Sequence, residues 1–195
     1  MQLAVRRYAW ENGTEIMATK TTITWEEFLA AGEEWQRWEW VDGEVEFMSP
    51  ANPRHEQLLV WLIESLAKYC RSHQEWIAFA SNCAFVMTSG NWRMPDASLV
   101  RKERFPGGRV SGTKIEFAPE VTFEIYSPGD TPSQLRYKRK DYQQSGVIQV
   151  WIDLDTRLVE LIYPDRPLQY FQEDQALVMD TLPGFSLDLK ALFSV

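Results

Sequence analysis

The stretch Met94-Pro95-Asp96-Ala97-Ser98-Leu99-Val100 decides how we interpret the rest of this chain. It has the pattern of a short β-strand, and it places one carboxylate, Asp96, directly after a proline. A second stretch, Val121-Thr122-Phe123-Glu124-Ile125-Tyr126, alternates between two faces, so that Glu124 points away from the face that Phe123 occupies. We therefore expect two strands, separated by a long loop but able to be neighbours, that each carry one carboxylate.

A lysine on the helix after the second strand has a predictable direction. The residues Thr131-Pro132-Ser133-Gln134 predict a helix N-terminus with a capping box and a proline at its first position. Leu135, Lys138 and Tyr142 then share one face at helical spacing. Lys140 is turned about 200° away, at roughly 100° per residue. Because a lysine directed at a core needs a charged partner or a function, Lys138 is the candidate, with a purely structural salt bridge as the alternative.

Together, Asp96, Glu124 and Lys138 suggest a chemistry. Two carboxylates can hold a hard divalent cation beside a phosphate, and a lysine near them can help to activate a water. The residues alone therefore favour a metal-dependent phosphodiesterase.

Composition predicts one domain. With 195 residues, 45% of them hydrophobic, the chain is long enough for a single packed core. We expect residues 1–20 to be a loosely attached tail and residues 21–195 to form the domain. The apolar run Leu58–Ile63 is far shorter than the roughly 20 residues of a membrane span, and residues 1–20 lack the apolar segment of a signal peptide, so a cytoplasmic protein is expected. Cys70 and Cys83 support neither a disulfide framework nor a zinc site.

The charge distribution is uneven. A net charge of −8 argues against a protein that coats nucleic acid nonspecifically. Basic side chains are nevertheless concentrated in the middle of the chain, in the loop between the two carboxylate strands and on the following helix. The candidates for contacts with a nucleic-acid backbone are Arg101, Lys102, Arg104, Arg136 and Lys140. Solvated surface charge is an equally good interpretation.

The first half of the chain predicts two helices and a hairpin. A capping box at Thr24 opens a short helix that reaches about Ala31. The Asp42-Gly43 pair between alternating residues predicts a hairpin over residues 38–47. Its glutamates Glu39, Glu44 and Glu46 share one face, which we expect to be exposed to solvent.

A long helix should follow this hairpin. Asn52 and Pro53 predict an N-cap and a first helical position, and apolar spacing continues to about Ser72. His55 lies in the first turn, where it could face a ligand or be a structural histidine; the residues slightly favour the structural role.

The remaining elements are predicted as strands. Residues 76–88 favour one strand that turns into the Asp96 strand, in an antiparallel meander. Residues 147–153 are almost continuously apolar, as expected for a strand at the centre of a sheet. Residues 157–163 and 168–171 favour antiparallel additions to the sheet.

These residues resemble a known family. The motifs that carry the resemblance are Glu39-Trp40-Val41-Asp42-Gly43-Glu44, Met48-Ser49-Pro50, His55, Pro95-Asp96, Glu124-Ile125-Tyr126-Ser127-Pro128, Lys138 with Tyr142, and Gly146-Val147 followed by Trp151. In order and spacing they are similar to the Uma family of restriction endonucleases, within the PD-(D/E)XK nuclease superfamily, over residues 24–193. The resemblance implies a restriction-endonuclease-like core, an α/β fold with a central mixed β-sheet flanked by helices. An N-terminal helix and hairpin precede this core, and antiparallel strands follow it.

The resemblance also implies roles. Asp96 would be the acidic residue of the PD element and Glu124 that of the (D/E)XK element. Where many superfamily members have lysine, two positions after Glu124, this chain has Tyr126, and Uma-type sequences are similar in having the lysine on the next helix, at Lys138. Glu39 and His55 match residues around the pocket.

Under these implied roles, Asp96, Glu124 and the carbonyl of Ile125 would bind Mg²⁺ or Mn²⁺, and Lys138 would orient or deprotonate the attacking water. His55 would position water or phosphate, and Glu39 would be an extra carboxylate. The leading hypothesis is a metal-dependent endonuclease that acts on DNA, with a homodimer as one form in which it would act. The alternatives are a catalytically inactive nuclease-like module that binds nucleic acid and a protein-interaction module.

Overall fold

A computed structural model describes residues 10–11, 14–15, 38–47, 52–112 and 114–194. The strands are β1 (Trp10–Glu11), β2 (Thr14–Glu15), β3 (Trp38–Val41), β4 (Glu44–Phe47), β5 (Trp76–Ala80), β6 (Phe85–Val86), β7 (Trp92–Arg93), β8 (Ala97–Arg101), β9 (Val121–Ile125), β10 (Ile148–Asp153), β11 (Leu158–Ile162), β12 (Gln169–Gln172), β13 (Ala176–Val178) and β14 (Ser186–Asp188). The α-helices are α1 (Pro53–Ser72), α2 (Pro132–Gln144) and α3 (Leu189–Leu192). The expected helix near residues 24–31 lies outside the described residues.

A six-stranded mixed sheet forms the centre of the fold. Its order is β12-β11-β10-β9-β8-β5. The β9–β10 pair is parallel and the other pairs are antiparallel. Strand β10 is therefore central, as its apolar sequence predicts, and β11 and β12 are the expected antiparallel additions. The structure confirms the α/β architecture with a central mixed sheet flanked by helices.

Apolar side chains cover both faces of this sheet. One core cluster joins α1, through residues such as Leu62 and Leu66, to the Val121 and Phe123 side of β9. A second cluster lies on the other face and includes Tyr142 of α2, together with residues of β6 and β10. The alternation of β9 therefore separates its apolar side chains from Glu124, which lies on the face that α2 covers.

Local sequence signals determine where the long helices begin. The side chain of Asn52 accepts a hydrogen bond from the backbone N–H of His55 at 2.9 Å, so α1 starts where the N-cap signal predicts. Thr131 and Gln134 form the expected capping box at α2. Gly146, with a φ of +72°, follows the C-cap of α2 and allows the chain to turn into β10.

A smaller four-stranded sheet, in the order β4-β3-β7-β6, adjoins the site. The hairpin of β3 and β4 turns at Asp42 and Gly43, which both have positive φ as the Asp-Gly signal predicts. The single strand expected over residues 76–88 is wrong. It divides into β5, which pairs with β8 in the large sheet, and β6, which pairs with β7 in the small sheet.

The C-terminal part contains elements that the sequence did not indicate. Strands β13 and β14 form an antiparallel hairpin, and the short helix α3 follows it directly. Leu177, Leu187 and Leu192 of these elements are buried in the first core cluster. In the described part of the chain no helix is both long enough and apolar enough to span a membrane.

Candidate active site

The pairing of β8 with β9 brings the two predicted carboxylates together. Ala97 is opposite Phe123, so Asp96, one residue earlier, lies opposite Glu124 at the same end of the strands. An oxygen of Asp96 accepts a hydrogen bond of 2.8 Å from the backbone N–H of Ile125. Both carboxylates are buried. The prediction that the Asp96 and Glu124 strands are neighbours is therefore confirmed.

Helix α2 places the side chain of Lys138 beside the carboxylate of Glu124. Its Nζ lies 2.9 Å from Oε2 of Glu124 and 3.2 Å from Oε1 of Glu39. Tyr142, on the same face of the helix, donates a hydrogen bond from its hydroxyl to Oε1 of Glu124. Lys140 is exposed on another face of the helix. The predicted direction of Lys138 is correct, because the capping box and the inward Tyr142 determine how the helix is rotated.

The surroundings of Glu124 disfavour its charge. Burial raises the pKa of Glu124 to about 8 against the opposing effect of Lys138, and the nearby carboxylates of Asp96 and Glu39 add to the rise. For Lys138, burial opposes the charge, but the same carboxylates outweigh it, so the pKa of Lys138 is raised. Lys138 is therefore charged near neutral pH, and Glu124 is the carboxylate that would gain most from a cation.

Glu39 contradicts our expectation of a solvent-exposed glutamate face. It is buried, and Oε1 accepts a hydrogen bond from the backbone N–H of Met94 at 2.9 Å. Its other oxygen lies 2.7 Å from a nitrogen of Arg93. Burial alone would raise the pKa of Glu39, but Lys138 and Arg93 outweigh it and lower this pKa. The alternation of the hairpin defines the polar face correctly, but that face packs towards Lys138 rather than towards water.

Arg93 and Asp141 belong to the site, and we did not identify them from the sequence. The guanidinium of Arg93 lies between Glu39 and Asp141, with its Nε 2.8 Å and a terminal nitrogen 2.7 Å from the same oxygen of Asp141. Asn91 and Ser89 also donate hydrogen bonds to Asp141. A signal was present, because Asp141 lies three residues after Lys138 and so belongs to the inward side of α2.

His55 lies at the N-terminus of α1 and faces Asp96. Its Nε2 is 3.3 Å from an oxygen of Asp96, and the ring is buried. Burial would lower the pKa of His55, but the hydrogen bond and charge of Asp96 raise it above its usual value. The structure thus places His55 within the site, in contact with a proposed cation ligand, and its role stays a prediction.

These side chains line one cavity with an excess of negative charge. Its lining contains the carboxylates of Glu39, Glu46, Glu56, Asp96, Glu124 and Asp130, together with the cations Arg93 and Lys138. Among the described residues no three His, Cys, Asp or Glu side chains are arranged as a metal cage. Mg²⁺ is commonly held by only one or two carboxylates, with water and phosphate oxygens as its other ligands. The oxygen donors Asp96 and Glu124 fit such a cation, since both carboxylates are buried and face the same cavity.

Ile125 contributes through its backbone. Its N–H donates to Asp96, while its side chain is buried in the first core cluster. The carbonyl of Ile125 as a third cation ligand stays a prediction.

The structure does not bring the predicted basic residues into this cavity. Arg101 is five residues along β8 from Asp96, or about 16 Å at the rise of a strand, so the loop that follows lies at the opposite end of the sheet. The guanidinium of Arg101 stacks 4.1 Å from the centre of the Trp76 ring, and Arg104 lies 2.8 Å from an oxygen of Glu120. The basic loop, which includes Lys102, therefore does not flank the site.

The two predicted nucleic-acid contacts on α2 are nearer to the site in the chain, but their side chains are turned away from it. Arg136 and Lys140 are exposed and lie one helical turn apart, on the side of the helix away from Lys138. Their contact with a nucleic-acid backbone stays a prediction.

Comparison with known proteins gives one family and one fold. The model of the Uma2 family, described as "Putative restriction endonuclease", matches residues 25–190. No curated protein matches the chain. A solved structure described as a "putative nuclease belonging to DUF820 from Anabaena variabilis ATCC 29413" is similar, with a TM-score of 0.78 and 21% identity over 88% of this chain and 98% of that one. A DrdV–DNA complex is similar over 71% of this chain and 14% of that one, with 15% identity and a TM-score of 0.35.

Proposed function

The chain belongs to the Uma2 family of putative restriction endonucleases, and from this premise we propose that it is a divalent-cation-dependent endonuclease that hydrolyses phosphodiester bonds of DNA. One observation carries the proposal. Asp96 and Glu124 face each other at the ends of paired strands, with a charged lysine 2.9 Å from the second carboxylate. This arrangement supplies two things that a metal-dependent hydrolysis of a phosphodiester uses: oxygen ligands for a cation and a fixed positive charge beside them.

Asp96 and Glu124, with the carbonyl of Ile125, are the residues that would hold Mg²⁺ or Mn²⁺. A cation held there supplies charge stabilisation for the phosphate and lowers the pKa of a bound water. Its presence would also stabilise the charged form of Glu124, whose pKa is raised to about 8 by burial and by neighbouring carboxylates.

Lys138 stabilises charge in this proposal. Because its pKa is raised by the surrounding carboxylates, it is charged near neutral pH in the site without a cation. We therefore assign it to orienting the attacking water and to offsetting the charge that develops on the phosphate. Of the two roles that the family resemblance implied, orienting the water fits the electrostatics better than deprotonating it.

His55 is positioned to act on the same group of atoms. It lies in the first turn of a long helix, where backbone N–H groups and the helix dipole favour an anion. Its contact with Asp96 places the ring beside the proposed cation ligand. We propose that His55 helps to position water or a phosphate oxygen.

Cleavage of plasmid DNA by the pure protein tests the proposal. We expect conversion of supercoiled DNA with Mg²⁺ or Mn²⁺ and none with EDTA, and we expect Asp96→Asn to abolish it. Lys190→Met, at an exposed lysine of α3 that has no role in the proposal, is the matched control that should retain activity. Cleavage that survives both EDTA and Asp96→Asn would refute the proposal. A homodimer stays a prediction that sedimentation of the same sample can check.

An inactive nuclease-like module is the second candidate. The observation in its favour is that both oxygens of Glu124 already have partners, Lys138 and Tyr142, which can satisfy the carboxylate without a cation. Retention of DNA by the pure protein, without cleavage at any divalent cation concentration, would favour this candidate.

A further inference from the structure

Lys138 is shared between two carboxylates that differ in how they are held. Its Nζ is 2.9 Å from Glu124 and 3.2 Å from Glu39. Among the residues that the structure describes, Glu124 has one further side-chain partner, the hydroxyl of Tyr142. Glu39 is held by a guanidinium and by a backbone N–H.

In the proposed function, Glu124 cannot keep its contact with Lys138 unchanged. A cation ligated by Glu124 would repel an ammonium group that remained 2.9 Å from the same carboxylate oxygen. Ligation of the cation through this oxygen would therefore weaken the contact between Lys138 and Glu124. An ammonium that loses this contact in a buried site needs another anion, because an unpaired buried charge is costly.

Glu39 is an anion whose position does not depend on Lys138. One of its oxygens lies 2.7 Å from Arg93, and the other accepts the N–H of Met94 at 2.9 Å. Arg93 is almost completely buried and is fixed from its other side by Asp141. The pKa of Glu39 is lowered because Lys138 and Arg93 outweigh the effect of burial. Glu39 therefore remains a fixed negative charge beside the ammonium.

We propose that Glu39 is a positioning residue that retains Lys138 beside the site when Glu124 turns to the cation. Arg93 and Asp141 set the place of Glu39 and so act through it. This inference rests on the proposed function and adds a role for Glu39 to it. Glu39 acts on the lysine rather than as an extra cation ligand, since ligation would have to compete with the buried guanidinium of Arg93 and with the backbone N–H of Met94.

Calorimetric titration with Mn²⁺, without DNA, tests the inference in a cycle of four proteins: the parent, Glu39→Gln, Lys138→Met and the double variant. Without the charge of Glu39, Lys138 stays on Glu124 and competes with the cation. We therefore expect Glu39→Gln to weaken Mn²⁺ binding about tenfold or more in the parent. When Lys138 is absent there is no competition, so the same change should alter affinity by less than about threefold in Lys138→Met.

Glu46→Gln is the matched control for the loss of negative charge. Glu46 is the cross-strand partner of Glu39 and lines the same cavity, 3.5 Å from Arg93. Glu46→Gln should change Mn²⁺ affinity by the same factor in the parent and in Lys138→Met, because a general effect of charge does not depend on Lys138. If Glu39→Gln does not fold, Glu39→Asp replaces it in the cycle. Glu39→Asp keeps the charge but shortens its reach, and the same dependence on Lys138 is expected.

The outcomes separate this inference from the proposed function. An equal loss of affinity in both backgrounds would make Glu39 a cation ligand and overturn the inference. Unchanged affinity in Glu39→Gln would assign Glu39 a purely structural role and also overturn it. A parent protein that binds no Mn²⁺ would refute the cation site itself, and with it the inference that rests on it.

Discussion

The Asp96 carboxylate accepts the backbone N–H of Ile125 across 2.8 Å, so the first carboxylate of the site is tied to the strand that carries the second. Asp96 therefore has two tasks in this protein. It completes the backbone hydrogen bonding at the end of β9, and it presents an acidic group to the cavity. Substitutions can separate these tasks, because an amide retains an acceptor oxygen and a methyl group does not.

Asp96→Asn and Asp96→Ala should differ in stability although both abolish cation-dependent cleavage. Asp96→Ala leaves the buried N–H of Ile125 without its acceptor, which costs about 1–3 kcal/mol. Asp96→Asn keeps the acceptor and removes repulsion with Glu124, so without a cation it should be at least as stable as the parent. Denaturant unfolding in EDTA measures both values, and equal destabilisation by the two changes would contradict this assignment.

Stability in EDTA should fall as the pH rises through neutrality. The folded pKa of Glu124 is raised to about 8 by burial and by its carboxylate neighbours. A raised carboxyl pKa contributes stability that is complete below the unfolded value and is lost as pH rises towards the folded value. The contribution of Glu124 is thus lost between about pH 4.5 and 8, by at most about 1.4 kcal/mol per pH unit. Glu124→Gln should flatten this slope in urea unfolding series, and an unchanged slope would argue against the raised pKa.

Lys138→Met should abolish cleavage and leave metal binding nearly intact or stronger, whereas Lys140→Met should change cleavage of saturating DNA little. Both lysines lie on α2, but Lys138 reaches Glu124 and Lys140 is exposed. Initial rates on plasmid DNA and Mn²⁺ titration of each variant make the comparison. Loss of cleavage in Lys140→Met with normal cleavage in Lys138→Met would reverse the assignment.

The basic residues of α2 and those at the end of β8 should differ in their effect on DNA binding. Replacing Arg136 and Lys140 together should lower the salt slope of binding by up to about 2, because each phosphate contact contributes roughly 0.9. Replacing Arg101 and Arg104 should change it less, since Arg104 is already paired with Glu120 and the loop is at the far end of β8. Binding curves at several salt concentrations, measured in EDTA with the Asp96→Asn protein, provide the test. A larger effect from the loop would place the DNA at that end.

Arg93→Met should be strongly destabilising. The change leaves Glu39 and Asp141 without the guanidinium that pairs with both, in a buried environment. Removing one partner from a buried ion network costs about 3–5 kcal/mol. Neutralising the two carboxylates in the same protein, by Glu39→Gln and Asp141→Asn, should recover part of the loss. If the triple variant is no more stable than Arg93→Met in chemical denaturation, packing rather than charge would explain the effect.

Local sequence patterns were sufficient to predict those parts of the site that depend on strand alternation or on helix rotation. The neighbouring strands of Asp96 and Glu124 and the direction of Lys138 follow from alternation and from a helix whose first residue is set by a cap. Alternation also placed Glu39 on one face of its hairpin. It could not say what covers that face, because burial depends on elements that are distant in sequence.

Long-range pairing accounts for what the sequence did not show. Arg93 and Asp141 are 48 residues apart, so the inward position of Asp141 on α2 does not reveal that Arg93 is its partner. The division of residues 76–88 between two sheets occurs at a turn in which Asn82 has a φ of +70°, a conformation that strand propensity does not indicate. Strands β13 and β14 are three residues each, too short for alternation to identify them with certainty.

The parallel pairing of β9 with β10 has a consequence for synthesis of the protein. Helix α2 is the crossover between these two strands, so the side of the sheet on which it packs is settled only when β10 has joined β9. A nascent chain that ends before Ile148 already contains Asp96, Glu124 and Lys138, but it lacks the strand that holds the last two in place. We therefore expect the site to form only after β10 has joined the sheet, and we expect incomplete chains on the ribosome to be inert towards DNA.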